Sequence, residues 1–197
     1  MPRPSVEAQR RKQILDAACT VIARRGLQEL RLLDVAAVAG VSSGTIHYYF
    51  DTKKELVNAA FEYNFRHSLE RRRWMQDETR PPLELLGEIV ESYLPNRGAS
   101  LRAWKVWAEL WAEGIRDPAL RQVNEELYGR WRELVQNAIA AAQRAGTARD
   151  GDPELLANML IGMIDGLAMQ VLLRAKAMPL EAMREACRTF IDRLIAR

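Results

Sequence analysis

Two short segments of helical periodicity, residues 32–39 and 43–50, are separated by Gly40, and no other feature constrains the fold as much. Each segment spaces its apolar side chains as an amphipathic helix does, yet each is too short to be stable alone. Gly40 provides the positive φ that ends a helix and Ser42 is a good N-cap, so the chain turns sharply between the two helices. A small shared core is expected to fix their angle, formed by Val35, Ala36, Val41, Ile46 and Phe50.

The remaining periodic signals are also helical, and no run has the alternating pattern of a strand. Gly26 ends the first helix, Thr52 and Glu55 form a capping box, and Pro at the first helical position marks later starts. The predicted helices are Val6–Arg25, Leu32–Ala39, one after Ser42, one from Thr52 to about Gln76, Leu83–Leu94, Ser100–Arg116, Pro118–Ala145, Pro153–Lys176 and Pro179–Ala196. The predicted fold is therefore all-α, with a three-helix domain over residues 1–52 and a larger helical domain over residues 53–197, linked by the fourth helix.

The third helix presents short polar and aromatic side chains on its outer face, namely Ser43, Thr45, His47, Tyr48 and Tyr49. Such a face can enter the major groove of DNA and contact base edges and thymine methyl groups. The charge distribution supports this interpretation, because residues 1–75 hold 13 Lys and Arg against 8 Asp and Glu. The rest of the chain holds slightly more acidic than basic side chains, so the N-terminal domain is the expected nucleic-acid end.

The motif GVSSGTIHYYF at residues 40–50, followed by KKEL at residues 53–56, resembles the signature of TetR-family repressors. The resemblance covers about residues 8–68 and implies that the third helix contacts operator DNA and that Lys53 contacts a phosphate at a helix N-terminus. One position departs from the family pattern, since Arg31 stands where the family usually has the Thr that caps the second helix. The implied DNA-binding residues are Arg31, Ser42, Ser43, Gly44, Thr45, His47, Tyr48, Tyr49 and Lys53.

Trp104, Trp107 and Trp111 share one face of a predicted helix in the C-terminal domain, and Trp131 lies on the next helix. Such a stripe is either plain core packing or the wall of a pocket for a cation or a flat apolar ligand. Acidic side chains on these helices can supply the counter-charge for a cation. The ligand-binding hypothesis therefore comprises Trp104, Trp107, Trp111, Glu113, Trp131 and Asp165.

Several C-terminal segments are similar to the BetI-type branch of the family: WAELWA at residues 107–112 with Asp117-Pro118 after it, IDGL at residues 164–167, Pro179-Leu180 and Phe190-Ile191. This branch is named for a choline-responsive repressor, so the resemblance makes choline or another quaternary or protonated amine a candidate inducer. The inducer stays open at this point, because members of the branch need not share one.

The last two predicted helices carry a broad apolar face, and small residues within it would allow another helix to approach closely. Obligate helical interfaces are large and apolar, so we expect a homodimer through these helices, with the internal core of a monomer as the alternative. The predicted interface comprises Met159, Gly162, Met163, Gly166, Met183, Phe190 and Leu194. Residues 155–173 are apolar enough to raise the question of a membrane span, but the central Asp165 favours a buried or interface helix.

Several function classes lack their sequence signatures. The chain has no Walker loop, Rossmann glycine pattern, zinc-ligand spacing or nucleophile elbow. We therefore expect no enzyme, cofactor or metal site, and the alternative to a repressor is a helical adaptor that binds a partner protein through a Trp-lined groove. Cys19 and Cys187 lie far apart in helical patterns, and no secretory signal is visible, which together favour the reducing cytoplasm. The expected function is a dimeric repressor of a pseudo-palindromic operator that a small-molecule inducer releases.

Overall fold

The computed structural model describes residues 6–72, 74 and 79–197. The helices are α1 (Val6–Arg25), α2 (Leu32–Ala39), α3 (Ser43–Tyr49), α4 (Lys53–Glu70), α5 (Pro82–Tyr93), α6 (Gly98–Gly114), α7 (Pro118–Arg144), α8 (Pro153–Leu172) and α9 (Leu180–Phe190). The described residues contain no strand, although Ala148 and Ala196 form an isolated antiparallel bridge. The predicted all-α class is thereby confirmed.

Local signals determine where most helices begin and end. Gly26 and Gly40 adopt φ values of 84° and 62°, in the left-handed region, and end α1 and α2. Asp152 caps α8, because its carboxylate accepts a hydrogen bond at 2.9 Å from the backbone N–H two residues later. Asp117 does the same at 2.8 Å before α7. These are the caps that the sequence predicts at Asp-Pro steps.

α5, α6 and α7 end a residue or two before the predicted position, and α4, α8 and α9 end at least four residues before it. α4 ends before Gln76, a residue that lies outside the described part of the chain. α8 stops short of Lys176 because Arg174 adopts a left-handed φ of 56°, which a helix cannot continue through. α9 does not run to Ala196 as a regular helix, since residues Ile191–Ile195 form a π-helix instead.

The described residues divide into two compact units. The first unit comprises those up to Glu70 together with Arg102–Glu125, and the second comprises those of Arg71–Leu101 and Glu126–Arg197. Most of α6 and the start of α7 therefore lie in the first unit together with α1–α4. The composition of this unit differs from the predicted N-terminal segment, residues 1–52.

The core of the first unit draws on all of these helices. Ile14 of α1, Val35 of α2, Ile46 of α3 and Leu56 of α4 have no exposed surface, and Leu110 of α6 joins them. Burying side chains of this size contributes about 1.5–3 kcal/mol each. The small shared core predicted for the two helices is thus present, and it continues into α6.

The second unit is built on α5, α8, α9 and the longer part of α7. Its core includes Leu86, Val135, Leu160 and Met183, all with no exposed surface. On the surface of this unit, Arg184 of α9 binds the carboxylate of Glu91 of α5 at 2.8–2.9 Å. An ion pair between exposed side chains contributes little, so apolar packing holds these helices together.

Candidate DNA-binding interface and ligand-binding residues

α3, the helix predicted to contact DNA, is capped at its N-terminus and is anchored in the core by buried side chains. The Oγ of Ser42 accepts a hydrogen bond from the backbone N–H of Thr45 at 3.1 Å and lies 2.9 Å from the Thr45 hydroxyl. Ile46 and Phe50 are 0% and 1% exposed, so they anchor the helix in the core. A rigid support of this kind is what precise presentation of base-contacting side chains requires.

The opposite face of α3 is open to solvent. Ser43, Gly44 and His47 are exposed, and Tyr48 is 76% exposed, which is unusual for so large a ring. Tyr49 is half-buried against the core, and its ring meets that of Tyr48 edge to face at 5.1 Å. The outward side chains are therefore of the kind that meets base edges and thymine methyl groups.

Two basic residues flank α3 on neighbouring helices. Arg31 occupies the N-cap position of α2 and is exposed, and its side chain makes no capping hydrogen bond. Lys53 is exposed at the first turn of α4, where Glu55 accepts from the Asp51 N–H at 2.9 Å and Thr52 accepts from the Glu55 N–H at 3.1 Å. A helix N-terminus with a cationic side chain suits a DNA phosphate.

One face of α6 forms polar contacts that the sequence did not predict. Arg102 binds Asp16 of α1 at 2.7 Å, and Glu109 accepts a hydrogen bond from the Leu27 backbone N–H at 2.8 Å. One turn further along, Glu113 accepts from the Gln28 side chain at 2.5 Å. These residues are separated by seven and four positions and so share one side of the helix. α6 is thereby attached to α1 and to the loop that follows it.

The three tryptophans of α6 form an aromatic cluster inside the first unit. Trp104 is 5% exposed and its ring lies 6.0 Å from that of Trp111, edge to face. Trp107 lies 6.1 Å from Trp111 and 6.2 Å from Phe65 of α4. The Trp111 indole N–H donates to Asn124 at 2.9 Å. Contacts of this kind are typical of a packed core, and they also bring several aromatic rings together on one surface.

Trp131 and Asp165 belong to the second unit. Trp131 is 3% exposed and stacks on Tyr93 with ring centroids 3.6 Å apart. Asp165 of α8 accepts a hydrogen bond from the hydroxyl of Tyr128, which lies one turn before Trp131 on α7. Burial raises the pKa of Asp165 to about 6, although the hydrogen bond from Tyr128 opposes the shift.

The residues of the ligand-binding hypothesis therefore fall into two sets. Trp104, Trp107, Trp111 and Glu113 lie in the first unit, and Trp131 and Asp165 lie in the second. Glu113 is engaged by Gln28, which makes it a poor counter-charge for a bound cation. Tyr93 and Tyr128 were missed, because an isolated Tyr in a helical pattern carries no signal that separates a site from core packing.

The residues predicted to form a dimer interface are divided between surface and core. Met159 and Leu194 are 46% and 45% exposed, whereas Met163 and Phe190 are half-buried. Met183 has no exposed surface, so it packs inside its own chain and has no side-chain surface to offer a partner. The apolar pattern of the sequence predicted that Met183 is buried, but it could not tell whether a partner or the same chain covers this side chain.

An apolar face of α8 remains open to solvent. Gly162 and Gly166 are exposed, and a Cβ at either position would meet no atom within 4 Å. Leu155 and Leu173 near the ends of the helix are 57% and 75% exposed. α8 is long and apolar enough to pass as a membrane span, with 28% of its most apolar stretch buried. A single helix of this kind is weak evidence for a membrane, because a core helix of a soluble protein has the same length and apolar composition.

A cavity of about 260 Å³ lies between α1 and α4 in the first unit. Its walls combine the basic Arg11 and Arg66 with the acidic Glu62, beside the rings of Tyr63 and His67, which stack at 5.4 Å. This mixture of charges favours no single class of ligand.

Two family descriptions match the chain. Residues 14–60 match the bacterial regulatory proteins of the tetR family, and residues 82–196 match the C-terminal domain of BetI-type transcriptional repressors. The second match alone covers more than half of the chain. The two matches do not overlap along the chain.

Individual relatives agree with this assignment. The HTH-type transcriptional regulator BetI of Serratia proteamaculans is 29% identical over 181 residues, covering 90% of this chain and 88% of that protein. A crystal structure from Saccharomonospora viridis, described as a transcriptional regulator in complex with choline, is 33% identical with a TM-score of 0.89, covering 96% of this chain and 98% of that chain. A TetR-family regulator from Rhodococcus is 30% identical with a TM-score of 0.82, covering 93% and 97%. The chain therefore belongs to the TetR family of bacterial transcriptional regulators and, within it, to the BetI-type branch.

Proposed function

We propose that this protein is a cytoplasmic repressor that binds a pseudo-palindromic operator as a homodimer and is released by a small cationic inducer of the choline class. The observation that carries the proposal is the arrangement of α3. Buried Ile46 and the Ser42 cap hold this helix, while His47 and Tyr48 are exposed and Thr45 is half-buried. Side chains held in this way can be inserted into a major groove without rearrangement.

Homodimerisation is supported by the open apolar face of α8. Leu155 and Met159 of α8 are exposed, as is Leu173 directly after the helix, with Gly162 and Gly166 between them. Soluble monomers rarely expose a contiguous apolar surface of this kind. A second copy of the chain, related by twofold symmetry, would cover the face and would give the assembly two α3 helices.

The inducer class is supported by the relative from Saccharomonospora viridis, whose structure contains choline. Its identity of 33% over nearly the whole chain makes a related ligand a reasonable expectation for this protein. Aromatic rings and a carboxylate are the groups that recognise a quaternary ammonium, and this chain has both on its C-terminal helices.

Release requires that the inducer bind one conformation better than the other. In the operator-bound dimer, the two α3 helices are expected to lie one helical turn apart, at about 34–36 Å. An inducer that stabilises a different spacing would weaken DNA binding, and a coupling of about 1–3 kcal/mol would lower affinity roughly 5- to 150-fold. α4, which follows α3, is the expected path of the change.

Selection of duplexes from a random pool, followed by footprinting at fixed salt, tests the DNA-binding part. We expect a pseudo-palindrome whose half-site centres are one helical turn apart. Thr45→Ala and Tyr48→Ala are expected to weaken operator binding and to leave the dimer intact. Ile115→Ala is the matched control, since Ile115 is 76% exposed and is not one of the residues predicted to contact DNA. Equal operator affinity for the Tyr48 variant and the wild type would show that α3 is not the reading helix.

Sedimentation of the full-length protein tests the dimer separately. Met159→Glu places a charge on the open face of α8 and is expected to shift the protein from dimer to monomer. Leu33→Glu changes another strongly exposed apolar residue, 70% exposed on α2, and is expected to remain dimeric. A monomeric wild-type protein, or a dimer that the Met159 variant leaves intact, would exclude this interface.

A further inference from the structure

Asp165 is a half-buried carboxylate whose pKa is raised by burial. The Arg132 guanidinium lies 5.5 Å from the centre of the Tyr128 ring, on the same α7 helix. The hydrogen-bond partner of Asp165 is the hydroxyl of Tyr128, and no Lys, Arg or His side chain pairs with this carboxylate in the described part of the chain. Removing a carboxylate from water is costly unless a positive charge compensates it. Such a residue is a stronger candidate for binding a ligand than for stabilising the fold.

The surroundings of Asp165 are aromatic. Tyr128 and Trp131 lie one turn apart on α7, and Trp131 stacks on Tyr93 at 3.6 Å. The Arg72 guanidinium lies 4.4 Å from the centre of the Tyr93 ring while it is 6% exposed. The cluster thus already stabilises one desolvated delocalised cation on a π face, which is the interaction a quaternary ammonium would use.

Two acidic side chains of α6, beside the tryptophans, are engaged in other contacts. Glu109 accepts from the Leu27 N–H, and Glu113 accepts from Gln28, so both attach α6 to the loop after α1. A cation at the α6 tryptophans would have to compete with these contacts. At Asp165 a cation would not have to displace a contact. Tyr128 can keep its hydrogen bond to one carboxylate oxygen while the carboxylate faces a ligand.

Resting on the proposed function, we infer that Asp165 and Tyr128 form the charged end of the inducer site, which takes a small quaternary or protonated amine against the aromatic rings of the second unit. The phenol holds one carboxylate oxygen and leaves the negative charge for the ligand. The site would therefore select for positive charge as well as for size and shape. A neutral molecule of the same shape would gain the apolar contacts and lose the charge attraction.

Calorimetric titration of the full-length protein with two probes tests this inference. The probes are choline and 3,3-dimethylbutan-1-ol, in which a carbon atom replaces the charged nitrogen. Asp165→Asn keeps the size and the acceptor for Tyr128 but removes the charge, and we expect choline to bind about 10- to 100-fold more weakly. Binding of the neutral probe should change less than threefold. The ratio of the two affinities is the key readout, because a purely structural defect would weaken both probes together.

Two further variants keep the test decisive. Asp192→Asn removes an exposed carboxylate from the same unit and is expected to leave choline binding unchanged. Asp165→Glu keeps the charge and is expected to retain a preference for choline over the neutral probe, even if the longer side chain weakens both. Loss of that preference in Asp165→Glu, or its retention in Asp165→Asn, would overturn the inference.

The outcomes also separate this inference from the proposed function. If choline releases wild-type protein from the operator and Asp165→Asn binds choline as tightly as the wild type, the inducer class stands and this site is wrong. If the wild type binds the operator but no cationic amine, both the inducer class and the site are wrong, while the DNA-binding function stands.

Discussion

The contact between Arg102 and Asp16 tests how α6 is held in the first unit. Arg102 donates to both carboxylate oxygens of Asp16 at 2.7 and 3.1 Å, and to the Thr20 hydroxyl at 3.0 Å. The guanidinium is the main reason that the pKa of Asp16 lies below its ordinary value, and burial opposes that shift. Arg102→Ala removes all three contacts at once, so we predict a less stable protein.

The magnitude follows from the exposure of the pair. The side chains of Arg102 and Asp16 are 28% and 45% exposed, so solvent screens the attraction. An exposed ion pair contributes about 0.2–1 kcal/mol and a hydrogen bond to a charged group about 1.5–3 kcal/mol. A bidentate, half-exposed contact should lie between them, at about 1–2 kcal/mol. For a chain of this length that corresponds to a decrease in Tm of about 2–8 °C.

The pH dependence of this contribution has a definite sign. The folded pKa of Asp16 is lowered, so the stabilisation is fully present above the pKa of the unfolded chain. It is lost as the pH falls through the folded pKa, where Asp16 becomes protonated. The difference in Tm between wild type and Arg102→Ala should therefore be constant near neutral pH and should shrink in acid below pH 4 or so.

A double-mutant cycle measured by thermal unfolding isolates the pair. Arg102→Ala, Asp16→Ala and the double variant should give a coupling of about 1 kcal/mol that decreases with added salt. Lys105→Ala, which removes an exposed cation from the same helix, should change stability by less than about 0.5 kcal/mol. A coupling below roughly 0.3 kcal/mol, within the usual error of additivity, would show that the Arg102–Asp16 contact does not stabilise the protein.

Other predictions concern α3 and the buried acid. Ile46→Ala, at a position with no exposed surface, should destabilise the protein by about 2–5 kcal/mol in denaturant titrations. Tyr48→Ala should change stability by less than about 0.5 kcal/mol but lower operator affinity about 5- to 100-fold, and a stable Ile46 variant would contradict this division. Ser42→Ala should cost about 1 kcal/mol through loss of the cap, with Ser42→Asn restoring it. Burial raises the pKa of Asp165 from 3.8 to about 6, so its charge costs stability as the pH rises through that interval. Asp165→Asn should accordingly stabilise the protein and raise its Tm at neutral pH, but not near pH 4. Choline affinity of the wild type should fall as the pH drops below about 6, and a pH-independent affinity would exclude Asp165 as the counter-charge.

The helix-turn-helix was predictable because its signals are local. Gly40 ends α2 at a positive φ, Ser42 caps α3, and Ile46 returns to the core one turn later. Each of these signals acts within four residues, which is the range that periodicity and capping rules cover. The bounds of α1 and α2 coincide with the prediction for the same reason.

The placement of α6 was not predictable from such rules. Arg102 and Asp16 are separated by 86 positions, and nothing in the periodicity of α6 indicates which helix its polar face meets. The tryptophan stripe was visible, but a stripe does not tell core from pocket. Glu113 looked available as a counter-charge until the structure placed Gln28 beside it.

Met183 and Asp165 show the same limit in the second unit. Periodicity assigned Met183 to an apolar face, but only the packing of α9 showed that the chain itself covers this residue. Asp165 was chosen for its charge, whereas its partner Tyr128 lies 37 positions away on another helix. The surroundings of both residues depend on contacts between helices that are distant in sequence. The pattern of a single sequence contains little information about such contacts.

The most direct test of the central claim is a titration of choline into the complex of the full-length protein with its selected operator, followed by fluorescence anisotropy at fixed salt. We expect saturable release of the DNA, and no release by 3,3-dimethylbutan-1-ol at the same concentrations. A protein that binds choline in calorimetry yet keeps its operator affinity unchanged would contradict release by an inducer of this class, because a ligand with equal affinity for both states shifts nothing.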